Sequence, residues 1–521
     1  MKDQLNHHGR RLEQLLTAAA NNQQQRQHAQ LHEQKVHVAG AGGVITAAYE
    51  QLRNAAENAE EHVLLQRAIR RFFRRLFLLR DDKQIAESGE ELAIELTLAG
   101  YLANDTLTEA TVKEINQLAA EYYRAYEQLL KRRTDHRKVE QWTIDVLAVR
   151  IEWLLHDASY VSAYVQFVQE YYLSSGLLEG IVSPHEANLE PTLYVAIQRA
   201  LLKADLARVR AGLLSRYQQT PDTLDTYVEL NRQIDALFES PSTEKLYRYI
   251  DRRGAPLRVL RHLIDDDDMV VEHLSKKSEF LSAYEAQIQS DYRSITQRIN
   301  RGIIKSIVFL IITKVLIGVA IEIPYDYLVF GTIIWTALLI NLLFPPVYML
   351  LLRATLMLPR QANTERLLQR IEYILYSKDK IELERRASTH SFGAGFSIAY
   401  GLAFVIVFGG IAYLLWAHFH FDVLHLFIFF LFLSGASFLG FRLSRAIREI
   451  EAIDSDQNAI TTLRDFLYMP FVVVGRYMSE KYAQVNIVAL TLDMVIELPL
   501  KTVLRLVRQW TAFINSKKDA L

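Results

Sequence analysis

The sequence predicts an all-α, polytopic membrane protein with four transmembrane helices in two hairpins, a large N-terminal cytoplasmic helical domain and C-terminal amphipathic helices. Three observations give this prediction. Long apolar segments follow residue 300, basic residues alternate between the stretches that join them, and the first 300 residues repeat apolar side chains at helical spacing. The 521 residues are enough for two or three domains.

Four apolar segments define the predicted membrane domain at 301–441. We place the spans at about 303–323, 327–352, 395–417 and 423–441. Each is near the ~20 residues that a helix needs to cross the ~30 Å hydrocarbon core of a bilayer. The third and fourth segments contain almost no charged residue, so their sequence signal is the strongest.

Basic residues determine the predicted orientation. They precede the first segment, fill the stretch between the second and third, and follow the fourth, whereas the loops "EIPYDY" and "HFHFDV" contain no Lys or Arg. This is the positive-inside pattern of two hairpins with both termini in the cytoplasm. We therefore expect a protein integral to a cytoplasmic (plasma or inner) membrane. The polar N-terminus lacks the apolar region of a secretory signal, so we expect no cleaved leader.

The remaining chain is predicted to be helical and outside the bilayer. Residues 1–300 form the predicted cytoplasmic domain, with 37 Lys and Arg against 43 Asp and Glu, and begin with a polar segment at 1–43 that is a candidate mobile segment. Residues 442–521 read as amphipathic helices that lie on the membrane surface or pack on the cytoplasmic domain.

One basic stretch, "RAIRRFFRRLFLLR" at Arg67–Arg80, carries no acidic residue. Like charges four residues apart repel on a helix, so an anion from elsewhere is expected to face them. Anionic lipid and an acidic face of the same domain are both candidates. Nucleic acid is disfavoured, because the patch is narrow and the domain is acidic overall. The candidate binding residues are Arg67, Arg70, Arg71, Arg74 and Arg75.

Polar residues within the first two apolar segments are candidates for a permeation path. Lys314 lies near the middle of the first segment, where a lysine costs about 2.5–3.5 kcal/mol to insert. Glu322 follows two turns later. Asn341 lies in the second segment, and Pro345 and Pro346 are expected to kink or interrupt that helix. The alternative is that Lys314 reaches the membrane surface or is paired inside the bundle, and that the prolines only bend the helix.

A histidine-rich loop is a weak candidate for a metal site. His418, His420, Asp422 and His425 lie close together in sequence and have side chains that can bind a transition metal. They can equally be interfacial polar residues at the end of a helical hairpin. We predict no metal and no cofactor. The chain has no cysteine, which excludes disulfides, thiolate zinc sites and cysteine nucleophiles.

These features predict a non-enzymatic function. The favoured interpretation is a membrane-anchored scaffold, adaptor or regulator whose cytoplasmic helical domain binds a protein partner that the sequence does not identify. The alternative is an oligomeric channel or transporter whose path is lined by Lys314 and the helix broken at Pro345 and Pro346. A metal-dependent membrane enzyme is the third. The expected partners are the lipid bilayer, an unknown protein and, for a channel, further copies of the chain.

Overall fold

The computed structural model describes residues 5–31, 33–38, 61–178, 181–182, 188–267, 269–356, 361–377, 394–452, 469 and 471–477. Within these residues the chain is helical, and an isolated bridge between Lys35 and Thr108 is the one β contact. The all-α prediction is confirmed. The described residues divide into two units, of which one contains His7–Arg253 and the other contains Asn6 and the residues from Gly254 onward.

Short and medium-length helices make up the first unit. They are α1 His7–Leu31, α2 Glu61–Leu79, α3 Asp82–Ala86, α4 Ser88–Leu98, α5 Glu109–Lys131, α6 His136–Trp142, α7 Ile144–Leu155, α8 Ser159–Ser174, α9 Leu189–Leu201, α10 Leu206–Arg216, α11 Leu224–Glu239 and α12 Pro241–Arg253. Side-chain caps begin several of them, because the first backbone N–H groups of a helix have no partner within it. Asp205, for example, accepts a hydrogen bond from the backbone N–H of Arg208 at 3.0 Å.

Apolar stripes join most of these helices in one core. On α2, Ile69, Phe73 and Phe77 are fully buried at helical spacing, and the ring of Phe77 lies 5.1 Å from that of Tyr123 on α5. The N-terminal segment also has an apolar face. Although its composition is polar, α1 buries Leu12 and Leu16 completely. The candidate mobile segment at 1–43 therefore contains a helix with an apolar face, and residues 39–43 lie outside the described part of the chain.

Longer helices dominate the second unit. They are α13 Ala255–Asp266, α14 Val270–Leu274, α15 Lys277–Ile317, a π-helical segment Gly318–Glu322, α16 Ile323–Phe330, α17 Trp335–Thr355, α18 Gln361–Tyr376, α19 Ala394–Phe419 and α20 Val423–Arg448. The stretch from α15 to α16 is one continuous helix of 54 residues. The predicted boundary between the cytoplasmic and membrane domains, at residue 300, falls inside α15. The point at which this helix enters a membrane stays a prediction.

Three helices of the described chain, not four, are long and apolar enough to cross a membrane. They are Lys277–Phe330, Trp335–Ala354 and Val423–Arg448. The predicted count of four is thus corrected. The third predicted segment lies in α19, Ala394–Phe419, in which Phe404–Phe419 is a shorter apolar stretch among the described residues.

Apolar side chains face outward along these helices. On the continuous helix, Ile304, Val308, Ile312 and Leu316 lie four residues apart and are 51 to 63% exposed. A soluble protein rarely exposes an apolar surface of this extent. The exposed stripe indicates membrane association, because hydrocarbon covers such a surface without the cost of hydrating it.

Glycines allow two close approaches between the membrane helices. A Cβ at Gly440 on α20 would lie 1.8 Å from Leu352 Cδ2 on α17, and a Cβ at Gly302 on α15 would lie 2.5 Å from Leu443 Cδ2 on α20. Small residues let transmembrane helices pack in this way. Gly409 on α19, by contrast, has nothing within 4 Å of the position its Cβ would take.

The interruption predicted at Pro345 and Pro346 does not occur. Helix α17 continues through both prolines, and Pro345 is buried. Most of the predicted amphipathic region at 442–521 lies outside the described residues. Of that region the structure describes residues 442–452, 469 and 471–477.

Candidate functional site in the membrane helices

Five polar side chains meet in the interior of the three long helices, and we call them the buried cluster. They are Lys314, Glu322, Asp326, Asn341 and His425, and none is more than 2% exposed. They come from α15, the π-helical segment, α16, α17 and α20. Ionisable residues are rare and costly within transmembrane helices, so a group of them marks a site to be explained.

Lys314 and Glu322 form an ion pair in this cluster. In a regular α-helix eight residues turn the second side chain about 80° away from the first. The π-helical segment Gly318–Glu322 changes this angle, and its last turn is closed by the N–H of Ile323 bonding to Gly318 O, five residues back. Single π-helical turns inside α-helices often occur at functional sites.

Asn341 joins the two halves of the cluster. Its amide Nδ2 lies 3.5 Å from Glu322 Oε1 and donates to the backbone carbonyl of His425 at 3.3 Å. One side chain of α17 therefore touches both the carboxylate that pairs with Lys314 and the helix that carries His425.

Asp326 and His425 form the second pair of ionisable side chains. The His425 Nε2 atom lies 3.2 Å from Asp326 Oδ1, and both side chains are completely buried. The other carboxylate oxygen accepts a hydrogen bond from the backbone N–H of Ile334 at 2.9 Å, so Asp326 also caps the start of α17.

Several polar atoms of the cluster have no hydrogen-bond partner within the described residues. They are Glu322 Oε2, Asp326 Oδ1, Asn341 Oδ1 and both ring nitrogens of His425. The His425–Asp326 contact is thus close in distance but not aligned as a hydrogen bond. Buried polar atoms are normally satisfied, so the unpaired ones here make the cluster a candidate binding site.

The cluster connects to one end of the helices through a further polar contact. Tyr325 Oη donates to the carboxylate of Asp422, which precedes α20 and is partly exposed. We call this the Tyr325 end. The predicted metal loop lies here, but His418 and His420 are exposed, while His425 faces Asp326. Among the described residues no three His, Asp or Glu side chains are placed to hold a metal ion.

Apolar packing closes the opposite side of the cluster. The Lys314 ammonium lies 5.2 Å from the ring centre of Phe432, a cation–π distance. Beyond it, Leu310, Met349 and Ile428 belong to one buried apolar group. The polar pair in this layer is Ser437 and Tyr348, whose hydroxyls are 2.9 Å apart.

The structure brings together three of the five residues that the sequence indicated for a path. Lys314, Glu322 and Asn341 meet, whereas Pro345 and Pro346 lie at least one turn farther along α17. Sequence reasoning assigned His425 to a metal loop and gave Asp326 no role. The available signal was their position, since each lies at the end of an apolar segment next to a loop without basic residues.

The arginine patch on α2 faces acidic side chains of its own unit. Arg70 Nη2 donates to Asp205 at 2.8 Å, and its Nε lies 3.4 Å from Asp145. Burial raises the pKa of the Asp205 carboxyl, but the charge and hydrogen bond of Arg70 outweigh it, and the pKa is lowered overall. Arg70 is thus a structural partner of two helices, α7 and α10.

Two further arginines of the patch are paired in the same way. Arg74 Nη2 lies 2.7 Å from Glu140, and Arg75 Nη2 lies 2.8 Å from Glu95. Burial and the charge of Arg70 lower the pKa of Arg67. Arg71 also has interactions within the described structure. Whether the patch also binds lipid stays a prediction.

Comparison with known proteins adds no family. Neither a protein-family model, nor a curated protein, nor a solved structure matches the chain.

Proposed function

We propose that the protein is an ion-translocating membrane protein, a transporter or channel, whose membrane helices carry protons or a proton-coupled solute through the buried cluster. This is the alternative that the sequence offered. The observation that carries the proposal is the cluster itself: four ionisable side chains and an amide, none more than 2% exposed, contributed by all three of the long apolar helices.

The energetic argument supports a functional role for these residues. Removing a charge from water costs several kcal/mol even after relaxation, and well-packed apolar residues are often as stable as a buried ion pair. The cluster also leaves carboxylate and amide oxygens unpaired, which a purely structural network would satisfy. Ionisable groups at membrane depth commonly form ion pathways and proton relays.

The orientation of the helices is part of the proposal. Arg353 at the end of α17 donates to Asn300 on α15 at 2.8 Å, and Leu443, next to Arg442 on α20, contacts Gly302 on α15. The basic ends of α17 and α20 therefore lie beside the middle of the continuous helix, near Arg301 and Lys305, and the described residues at the Tyr325 end include no Lys or Arg. By the positive-inside rule the basic end is cytoplasmic. The first unit and both termini are then cytoplasmic, in a plasma or inner membrane.

Proton flux in proteoliposomes tests the function. Vesicles with an internal pH-sensitive dye, a clamped membrane potential and an imposed pH gradient are compared with and without the protein. We expect wild-type protein to dissipate the gradient faster and Glu322→Gln to abolish the effect. Glu365→Gln is the control, because Glu365 is exposed on α18. Wild-type vesicles that behave like empty vesicles under every gradient and every added solute refute the proposal.

The scaffold or regulator is the second candidate, and one observation favours it. Leu78 and Leu79 at the end of α2 are 61 and 66% exposed, an adjacent apolar pair beside Arg80. Such a pair can be the contact point of a protein partner. Affinity purification with Leu78→Ser/Leu79→Ser against wild type tests it: a partner that is lost in the variant supports a scaffold. A metal-dependent enzyme has no such observation behind it.

A further inference from the structure

The cluster contains two pairs with different proton requirements. Lys314 and Glu322 are oppositely charged at neutral pH, so this pair cancels without any bound proton. Within the described residues Asp326 pairs with no Lys or Arg; one of its oxygens lies against His425 and the other accepts the backbone N–H of Ile334. With a neutral imidazole, the four ionisable groups carry one net negative charge.

That net charge is unfavourable at this depth. A carboxylate without a cationic partner in a medium of low dielectric constant loses more hydration than one backbone hydrogen bond replaces. One added proton removes the charge, either as an imidazolium beside a carboxylate or as a carboxylic acid beside a neutral imidazole. Both arrangements give the pair a hydrogen to share over the 3.2 Å between Nε2 and Oδ1.

We propose that the exchangeable proton of the membrane helices is held by the His425–Asp326 pair, and that it reaches the pair from the Tyr325 end. The inference rests on the proposed function and names its charge carrier. The step is a single uptake: one proton leaves water, one N–H or O–H bond forms in the pair, and the net charge of the cluster goes from −1 to zero.

The surroundings of His425 suit a proton site. The ring of Phe421 lies 5.9 Å away and that of Tyr325 lies 6.3 Å away, both edge-to-face. Facing or neighbouring charged groups are Asp326 on α16, Glu322 in the π-helical segment, Lys314 on α15 and Asp422 before α20.

The positions of polar side chains on the two sides of the cluster indicate the route of the proton. Asp422 is partly exposed, and its carboxylate accepts a hydrogen bond from the Tyr325 hydroxyl. It lies one helical turn before His425 in the sequence. On the other side of the cluster lie the apolar side chains of Phe432, Leu310 and Met349. One polar contact is described in this layer, between the hydroxyls of Ser437 and Tyr348. Polar side chains therefore lie between the cluster and the Tyr325 end, and apolar side chains lie between the cluster and the basic end.

Proton counting tests the site independently of transport. Purified protein in detergent is titrated, and the number of protons taken up between about pH 8 and pH 5 is measured for wild type, His425→Gln and Asp326→Asn. We expect each variant to bind about one proton fewer, as the loss of a single site requires. His420→Gln, on the exposed loop, is the comparison variant. Histidine ¹⁵N spectra of wild type and of the two histidine variants then show which imidazole signal is lost in each.

Measurement of proton flux distinguishes the proposed proton site from the proposed function. If wild type moves protons, His425→Gln should flatten the pH dependence of the rate, which otherwise changes by up to about tenfold per pH unit for one proton. Tyr325→Phe should slow exchange and leave the proton count unchanged. A wild-type proton count and pH profile in both His425→Gln and Asp326→Asn overturn the inference and leave the proposed function standing. Absence of flux in wild type with the expected loss of one proton overturns the function alone.

Discussion

Lys314 and Glu322 form an ion pair that is closed to water, with side-chain exposures of 2% and 0%, between α15 and the π-helical segment that follows it. The pair lies within a helix that is apolar over most of its outward surface. It is therefore the feature on which the stability of the membrane helices and the proposed function both depend.

Breaking this pair on one side should destabilise the protein strongly. Glu322→Leu leaves the Lys314 ammonium buried and unpaired, for which we expect a loss of about 3–5 kcal/mol. Lys314→Met with Glu322→Leu removes both charges and should restore most of the loss. Unfolding of the detergent-solubilised protein measures both. A double variant as unstable as Glu322→Leu alone is inconsistent with a direct pair.

The close approach of α17 and α20 should depend on Gly440. Gly440→Val places side-chain atoms where Leu352 Cδ2 now lies, 1.8 Å from the position of a Cβ. Overpacking of this kind costs about 1–3 kcal/mol. Adding Leu352→Ala should recover part of the loss, and Gly409→Val, which faces open space, should have little effect on the unfolding temperature. Equal effects of the two single variants argue against this contact.

His262 should make the second unit less stable as the pH rises. Burial lowers the pKa of His262, but the hydrogen bond from its ring to Asp291 at 2.8 Å and the charges of Asp291, Asp265 and Asp266 raise it overall above 6.5. The folded state then binds the proton more tightly than the unfolded state. The stabilisation is fully present below about pH 6.5 and is lost as the pH rises through the folded pKa.

The comparison of wild type with His262→Gln measures this effect. Because the side chain is about half exposed, we expect less than about 1 kcal/mol. The difference in unfolding temperature between the two proteins should shrink from pH 6 to pH 9. A difference that stays constant or grows over that range shows that the imidazolium is not the source.

We expect Arg70 to stabilise the first unit and not to bind lipid. Arg70→Gln leaves Asp205 and Asp145 without their guanidinium, for which we expect a loss of roughly 1 kcal/mol in stability. Binding of the full chain to anionic vesicles should change no more than in Arg80→Gln, an exposed arginine at the end of the same stretch. A large loss of vesicle binding with unchanged stability would favour lipid as the partner.

Sequence patterns predicted the fold class and three members of the cluster for identifiable reasons. Apolar periodicity and length indicate helices and spans, and Lys314 in an apolar segment is conspicuous without any structure. The same patterns could not predict the geometry of the buried cluster. The π-helical turn that brings Glu322 to Lys314 breaks the regular periodicity on which such reasoning depends. Asp326 and His425 lie about a hundred residues apart, and no local pattern links them.

The sequence predicted four spans, and three helices of the described chain are long and apolar enough to cross a membrane. Composition made the segment at 395–417 one of the two strongest candidates, because it is almost uncharged. Among the described residues this segment contributes the shorter apolar stretch Phe404–Phe419 of α19.

The arginine patch shows a limit of reasoning from sequence. The sequence required an anion, and only the fold brings Asp145 on α7 and Asp205 at the start of α10 to Arg70.

Proton flux through reconstituted protein tests the central claim most directly. With the membrane potential clamped, vesicles that contain wild-type protein should lose an imposed pH gradient faster than empty vesicles, and Glu322→Gln vesicles should match the empty ones. Glu365→Gln vesicles should match wild type. Flux in Glu322→Gln that equals wild-type flux, or no flux in wild type at all, would contradict the assignment of the buried cluster to translocation.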